Sequence, residues 1–568
     1  MTIRRGGTMQ GRGKGLFFAP IIVVLLLVGS LGGGCTTTPK PSTSAPTSGT
    51  SAPPPSVAEQ PAGELKIAMN SFWTEVLDPS LSSTHIKPLL IPMYEFLVGA
   101  DVSGKLSKAY GIAQDWKVEH SATNSVYTFD LRQGVKFHDG TEVTAQDVKF
   151  SIEYFARADS KSSMAATLRP LIDRIEVPSQ YRVVVYTKKP YAFLLTDLSP
   201  LGYSEGLVLP KGYIEKNGSE YFNKHPIGTG PYRFKEQKVG TSVTYEAIDY
   251  QHWLFRVPKY KTVTLMLVPE ESTRLAMLKT KEADVIDSVT TANIPSLKAA
   301  GSGVFSQKGS QVLMVLLGQT WDESSYLNDI RVREALNLAV DRQAIVDQIF
   351  QKAAGVIGAW YGSYAYGYQP LPLYDYDPAK AKSLLQQAIK DKGWSKVELT
   401  FYSYPRAGVP EAQQAAETMA GMWQKAFGDL INVQIVPAAE FAIFRQKLVD
   451  KKGANGVGIL GSPNGPFAWG PAWQSLYHSG GVYPLAKTPQ LDALIGGLRA
   501  ETDMEKAGQE QVQIAKYIRD NHFNVPLFET SDIYGTNPQK VTQWELSKFD
   551  HNPNYLDIMV RGRAYPAK

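Results

Sequence analysis

The sequence predicts a mixed α/β fold divided among more than one core. Two observations carry that prediction. Residues 126–155 read VYTFDLRQGVKFHDGTEVTAQDVKFSIEYF, a strand, two turns and a capped helix in succession. Tyr127, Phe129 and Leu131 alternate with Val126, Thr128 and Asp130, as in a half-buried strand. Gly140 is free to take positive φ in the second turn. Thr144, with Asp147 three residues on, makes a capping box, and Val148, Ile152 and Phe155 then form one apolar helical stripe. The second observation is length. The chain has 568 residues, and the 507 that follow residue 61 exceed a single core, so two to four structural units are expected.

The chain opens with a different chemistry. Residues 1–34 hold Arg4, Arg5, Arg12 and Lys14 and no acid, followed by an apolar run from Leu16 to Val28 and then small residues. This is the pattern of a secretory signal, and the run is short for a membrane span. Cys35 is the only cysteine, which excludes an intrachain disulfide. Its place directly after the apolar run resembles the bacterial lipoprotein signal, and that resemblance makes Cys35 the lipid-attachment site. The residue three before it is Gly32, where the pattern prefers an aliphatic side chain. Residues 36–61, rich in Pro, Ser and Thr and without apolar periodicity, cannot bury enough surface to order themselves and form a tether. Removing the four basic residues of the signal leaves 55 Lys and Arg against 54 Asp and Glu, a near-neutral chain that argues against a nucleic-acid partner.

The stretch GVKFHDGT (134–141), followed by TAQDVKFSI (144–152), resembles the signature of the family 5 extracytoplasmic solute-binding proteins of ABC importers. Three further blocks fit in the family's order: His225–Phe234 (HPIGTGPYRF) with Tyr250–Trp253, Arg331–Arg342, and Tyr376–Leu385. The resemblance covers about residues 62–568. It implies a two-lobe periplasmic-binding-protein-like fold (Venus-flytrap, type II or cluster C) with an extra subdomain in the first lobe. The expected organisation is a signal peptide (1–34), a lipid-anchored linker (35–61), lobe I (62–97, 228–311 and 529–568), an inserted subdomain (98–227) and lobe II (312–528).

Taken in order, Leu65–Met69 alternates as a strand, and Leu89–Val98 is expected to be a helix. Trp116 is expected in the core. Strands are expected at Tyr181–Thr187, Val243–Ala247, Thr262–Val268 and Ala283–Ile286, with a helix at Glu271–Lys279. Val312–Gly318 (VLMVLLG) is apolar throughout, as for a strand buried on both faces. The resemblance makes it a crossover between lobes, with a hinge expected near Gln319 and Trp321. Arg331–Phe350 is expected as one helix, and Leu399–Tyr404 and Val457–Leu460 as strands. Helices are expected at Glu411–Ala426, Leu491–Leu498 and Met504–Asp520. The resemblance makes Val525–Phe528 the second crossover.

Candidate ligand contacts follow the aromatic residues. Phe72 and Trp73 sit in a loop that, by resemblance, borders the cleft, although a hydrophobic plug at a strand end would look the same. Residues 358–368 (GAWYGSYAYGY) alternate rings with Gly, Ala and Ser and fit neither a helical nor a strand period. Small residues let such a loop approach a ligand while the rings stack on it, which nominates Trp360, Tyr361, Tyr364 and Tyr366. Gln319, Trp321 and Arg406 are further candidates. Residues 451–491 contain no acid. In peptide receptors of the resembled family the loop after this strand supplies an aspartate for the peptide's α-ammonium. Here Ser462, Pro463 and Asn464 take that place, followed by Phe467, Trp469, Trp473 and Tyr477. A neutral aromatic loop over 461–477 suits a sugar or a blocked ligand better than a free amino terminus, unless an acid arrives from another strand.

The expected function is therefore that of an extracytoplasmic receptor, a monomer without cofactor. It captures an oligopeptide- or oligosaccharide-sized ligand between its lobes and delivers it to an ABC permease. A signalling receptor on the same fold is a second class that the sequence does not separate. The enzyme alternative is a secreted serine hydrolase, because Gly202–Gly206 (GYSEG) matches G-x-S-x-G around Ser204, though neither flank supplies the strand or the helix the motif needs. A nickel or metal-chelate receptor is a third reading. The 8 histidines are scattered without metal-ligand spacing, and His138 and His225 are expected to satisfy turns.

Overall fold

The computed structural model describes residues 60–72, 74–82, 87–404, 409–436, 441–465, 469–546 and 555–563. Cys35, the signal and the tether lie outside them. An 11-stranded sheet runs through both lobes. From one edge its order is Ile431–Val436, Val397–Tyr402, Gly456–Pro463, Gly303–Leu317, Asn524–Thr536, Val285–Ile286, Glu64–Met69, Thr262–Leu267, Ser242–Ala247 and Tyr232–Lys238. Gly355–Val356 pairs beside Asn524–Thr536. A separate 4-stranded antiparallel sheet holds Ala113–His120, Ser125–Leu131, Arg182–Thr187 and Ile172–Ser179.

The cores divide into two sets. One joins Leu65, Phe129, Tyr245 and Met559, so the small sheet shares its core with the first half of the main sheet. The other set lies within residues 312–528, one cluster on each face of the second half. The strands Gly303–Leu317 and Asn524–Thr536 belong to both halves. Their antiparallel pairing shifts register twice: at mid-length, where Gln307 faces Asp532 but Gln311 faces Thr530, and again between Leu313 and Met314. Residues 308–310 therefore oppose Ser531 alone, in a bulge with Gly309 at φ +67°, a conformation that suits glycine. This bulge lies upstream of Gln319, near which the hinge is expected. The strand begins nine residues before the apolar run that marks it in the sequence, so the crossing occurs earlier.

The organising stretch folds as its pattern requires. Ser125–Leu131 buries alternate side chains, and the helix Ala145–Ala156 buries Val148, Ile152 and Phe155. The Asp147 carboxylate accepts from the Thr144 backbone N–H at 2.9 Å. The family-type blocks meet here: His138 Nδ1 accepts from Gly228 N–H at 3.2 Å, and Nε2 lies 2.9 Å from the Gly230 carbonyl. Burial pushes the His138 pKa down to about 4. Its neutral form is thus the folded form. Below about pH 6.5 the unfolded chain takes up a proton that the folded chain refuses, so stability is lost as pH falls from there toward 4. The loss reaches roughly 3 kcal/mol. Melting temperature measured across that window is expected to fall less steeply in His138→Gln than in the parent.

Four local expectations change. The helix expected over 89–98 is only Lys87–Leu90. Pro92 offers no N–H to continue it, and the 226–234 loop takes its carbonyls instead: Gly230 N donates to Met93 O at 2.8 Å and Tyr232 N to Pro92 O at 3.0 Å. Trp116 packs against the first core but is only half-buried, on the outer strand of the small sheet, with the Lys108 ammonium 5.5 Å from its ring centre. The long helix after Arg331 is two, Ile330–Leu338 and Arg342–Gln348, because Asp341 caps the second by accepting from Ala344 N at 2.9 Å. Finally, Trp469–Tyr477, expected as loop, is a helix.

Candidate functional site

The bulge at 308–310 is the meeting point of three distant segments. Asn464 follows the strand Gly456–Pro463, and its backbone N–H donates to Ser310 O at 2.9 Å. Its Nδ2 donates to Gly309 O at 2.8 Å and to Glu529 Oε1 at 3.1 Å. Its Oδ1 accepts from Tyr364 N at 3.2 Å. The Ser363 backbone N–H also donates to Glu529 Oε1, and the Tyr364 hydroxyl to Lys308 O. Gly362 permits this closeness, since a Cβ there would stand 2.1 Å from Asn464 Oδ1. Crossover strand, aromatic loop and neutral loop are thereby tied together at the bulge.

Glu529 pairs with Val312 in the sheet, so its side chain shares the face of Val312, Met314 and Leu316. Those residues belong to the cluster containing Trp360, Tyr361, Trp469 and Trp473. The Trp360 and Trp469 rings meet edge to face at 5.2 Å, and Tyr361 stands 6.1 Å from Trp469 and 6.0 Å from Trp473. All four are fully buried. The indole N–H groups of Trp360, Trp469 and Trp473 find no hydrogen-bond acceptor among the described residues. Each costs free energy while unpaired. Burial raises the Glu529 pKa, while its bonds to Ser363 and Asn464 pull it down. On the opposite face, Gln311 and Thr530 are buried with side-chain polar atoms that have no partner among the described residues.

Of the residues nominated from sequence, Trp360, Tyr361, Tyr364, Asn464, Trp469 and Trp473 come together here. Phe72 is packed in the core of the first lobe. Gln319 is buried with φ +50°, and its Oε1 accepts from Gly453 N at 2.8 Å. Trp321 donates from Nε1 to Pro484 O at 2.8 Å and carries the Lys487 ammonium 3.6 Å from its ring centre. Tyr366 is largely exposed, and its carbonyl accepts from Gln511 Nε2 at 3.3 Å. None of these four joins the hydrogen bonds at the bulge. Trp73, Arg406 and Phe467 lie outside the described residues.

Glu529 was missed from sequence. The signal was present, because an acid directly after the apolar run VPLF (525–528) is out of place in a buried strand. Ser204 does not sit on a nucleophile elbow. Residues 198–206 are turns, with Leu207 N donating to Ser204 O at 3.0 Å. Among the described residues no histidine hydrogen-bonds to it, and no group of three His, Cys, Asp or Glu could hold a metal ion.

The two lobes touch elsewhere as well. Glu411, on the second, accepts from Thr291 N at 2.8 Å on the first, and Phe193 packs against the aromatic cluster across the gap.

Comparison with known proteins gives one consistent family. The profile described as "Bacterial extracellular solute-binding proteins, family 5 Middle" matches residues 109–481. The dipeptide-binding protein of Escherichia coli is 29% identical over 380 residues, 62% of this chain and 68% of that one. The oligopeptide-binding protein AppA of Bacillus subtilis is 25% identical over 512 residues, 82% of this chain and 88% of the relative. Among solved structures, NikZ from Campylobacter jejuni, in complex with Ni(L-His), superposes with a TM-score of 0.73 at 22% identity, covering 87% of this chain and 98% of that one.

Proposed function

Because the chain belongs to family 5 of the bacterial extracellular solute-binding proteins, we propose that it captures a peptide-sized solute between its lobes and presents it to the permease of an ABC importer. The observation that carries this reading is the shared strand pair, at whose bulge we place the hinge. Two lobes with separate cores share a strand pair that bulges at residues 308–310, and the polar cluster at that bulge adjoins buried aromatic rings with unpaired N–H donors. A solute that touches both lobes binds the closed arrangement better and shifts the population toward it. The membrane partner then distinguishes loaded from empty receptor by shape. No bond in the solute need break. The peptide class follows from the relatives, since the E. coli and B. subtilis proteins are named for dipeptide and oligopeptide binding. In the same reading Cys35 carries the lipid, residues 36–61 hold a monomeric receptor off the membrane, and residues 98–227 are an insertion in lobe I.

Native mass spectrometry of the protein purified without refolding, followed by thermal-shift titration, tests this. A mixture of tri- to pentapeptides is expected to yield bound masses and to raise the unfolding free energy by about 2.7 kcal/mol at 100 times the dissociation constant. Binding of an oligosaccharide mixture with no response to peptides would overturn the peptide class. No bound mass or shift with either mixture would overturn the receptor reading.

A further inference from the structure

The segment that follows the small sheet's strand Arg182–Thr187 carries Phe193. Among the described residues this side chain alone packs against a core of each lobe. Its ring meets that of Tyr191 edge to face at 5.9 Å. The Tyr191 hydroxyl donates to Asp197 Oδ2 at 2.6 Å, the Asp197 N–H donates to Phe193 O at 2.8 Å, and the Tyr127 hydroxyl donates to Tyr191 O. We propose that residues 191–205 form a latch between the lobes, with Phe193 as its apolar wedge and Asp197 as a carboxyl that the second lobe covers on closing. The proposal rests on the receptor reading above and gives that receptor a closure strengthened by acid.

The wedge is held rigidly on the first lobe. Three hydrogen bonds fix Tyr191 and Asp197 around Phe193, so its apolar contact with the second lobe forms or breaks only as the lobes move. On the second lobe the same cluster is edged by Tyr483 and by Leu494 of the helix Pro489–Ala500, and Arg499 of that helix acts on Asp197. The latch therefore joins an apolar contact to a buried acid at one place.

Asp197 is 5% exposed and Glu205 1%, and neither has a basic side chain within ion-pairing distance among the described residues. A buried carboxylate without a paired cation is costly, and protonation removes the cost. Burial accordingly raises the pKa of Asp197 to about 7. The Tyr191 hydrogen bond and the charge of Arg499 pull it down, while Glu205 pushes it up. Burial raises Glu205 as well, although Met164 N donates to its Oε1 at 2.6 Å. The other groups that face Asp197 are the phenols of Tyr127 and Tyr203, both held neutral by burial. The buried Lys87 ammonium donates to Pro200 O at 2.7 Å and is not among the charges that act on Asp197.

Opening the lobes would return Asp197 to water, where a carboxyl titrates near 4. Its pKa is then higher in the closed form than in the open one, and closure takes up a proton between about pH 4 and pH 7. Falling pH across that window favours the closed form. Above about pH 7 the carboxyl is ionised in both forms and the advantage is gone. A proton that binds the closed form better shifts the population as any ligand does.

The test uses the full chain and a mixture of tri- to pentapeptides. Affinities are read by calorimetry at pH 5 and pH 8, and the melting temperature of ligand-free protein is the folding control. Titration of the peptides themselves cancels in the ratio of variant to parent. Asp197→Asn keeps an acceptor for Tyr191 and carries no charge. It is expected to bind more tightly than the parent at pH 8, with an advantage that shrinks about 10-fold or more at pH 5. Phe193→Ala is expected to bind about 10-fold more weakly at both pH values. Ligand-free parent is expected to be more compact at pH 5 than at pH 8 by small-angle scattering, and Asp197→Asn equally compact at both. A ratio for Asp197→Asn that does not change with pH, tighter binding by the parent at pH 8, or an unchanged affinity in Phe193→Ala overturns the latch and leaves the receptor reading standing. If Asp197→Asn does not fold, Arg499→Gln decides from the other lobe: weaker binding at pH 8 alone supports the latch, and an effect that is absent or equal at both pH values counts against it. If the parent binds no peptide, the peptide reading fails and scattering decides the latch by itself: a ligand-free parent no more compact at pH 5 than at pH 8 overturns it.

Discussion

Replacing Arg274 by alanine is expected to destabilise the first lobe by about 3–5 kcal/mol. The guanidinium is buried at the lobe's edge, on the helix Glu271–Thr280, and donates to four carbonyls: Val268 at 2.8 Å, Pro269 at 2.7 Å, Asp287 at 3.1 Å and Ser288 at 3.0 Å. It also lies 3.6 Å from the Asp287 carboxylate, whose Oδ1 accepts from Asn70 N at 2.8 Å. Burial raises the Asp287 pKa to about 6, and Arg274 opposes that shift. Truncating the arginine leaves a buried carboxylate without its counter-charge and four carbonyls without their donor. Because a two-lobe protein need not unfold in one step, the effect is best followed by hydrogen exchange in residues 64–69 and 285–289 as well as by melting temperature. Arg274→Ala with Asp287→Asn is expected to recover part of the loss, since the uncompensated charge is gone. If the double variant is no more stable than the single one, charge burial is not the cause.

The second large effect is expected in the other lobe. Trp423 is fully buried in the helix Ala412–Phe427, stacked on Phe401 with ring centres 5.5 Å apart, and its Nε1 donates to Leu336 O at 2.9 Å. Trp423→Ala opens a cavity the size of an indole and unpairs a buried carbonyl, at a cost of about 3–5 kcal/mol. Trp423→Phe keeps most of the packing and is expected to lose only the hydrogen bond and part of the ring, about 1–2 kcal/mol. Calorimetric scans of both variants check the ordering. The two lobes also make a useful contrast, because Arg274→Ala should perturb one transition of a split endotherm and Trp423→Ala the other. A single transition shifted equally by both would show that the lobes unfold as one.

Local signals in the sequence carried far because the forces behind them act within a few residues. Alternation over 126–131, the Thr144–Asp147 cap and the helical stripe after it are all settled inside one stretch, and the structure has them where the pattern puts them. The helix Met504–Asp520 is bounded by the residues its periodicity marks. Aromatic residues interleaved with small ones in 358–368 pointed to a loop under unusual constraint, and four of the residues nominated there or after Asn464 do meet in one cluster.

Other features depended on residues far apart in the chain. Pro92 and the loop that bonds the carbonyls of 92 and 93, more than 130 residues on, decided that the helix does not continue through 91–98. The helix Trp469–Tyr477 carries Gly470 and Pro471, poor helix formers, and its rings are held by packing against Trp360 and Tyr361. The bulge exists only because two strands separated by some 200 residues pair out of step. Glu529 is a neighbour of Asn464 in space but 65 residues away in sequence. By itself the sequence determined the α/β composition, the family-type blocks and the aromatic loops, since each is written in adjacent residues. Only the tertiary structure decided where the shared strand pair bulges and which carboxylate lies on the face of the aromatic cluster, because both arise from strand pairing, and register between distant strands is set by the packing of whole faces.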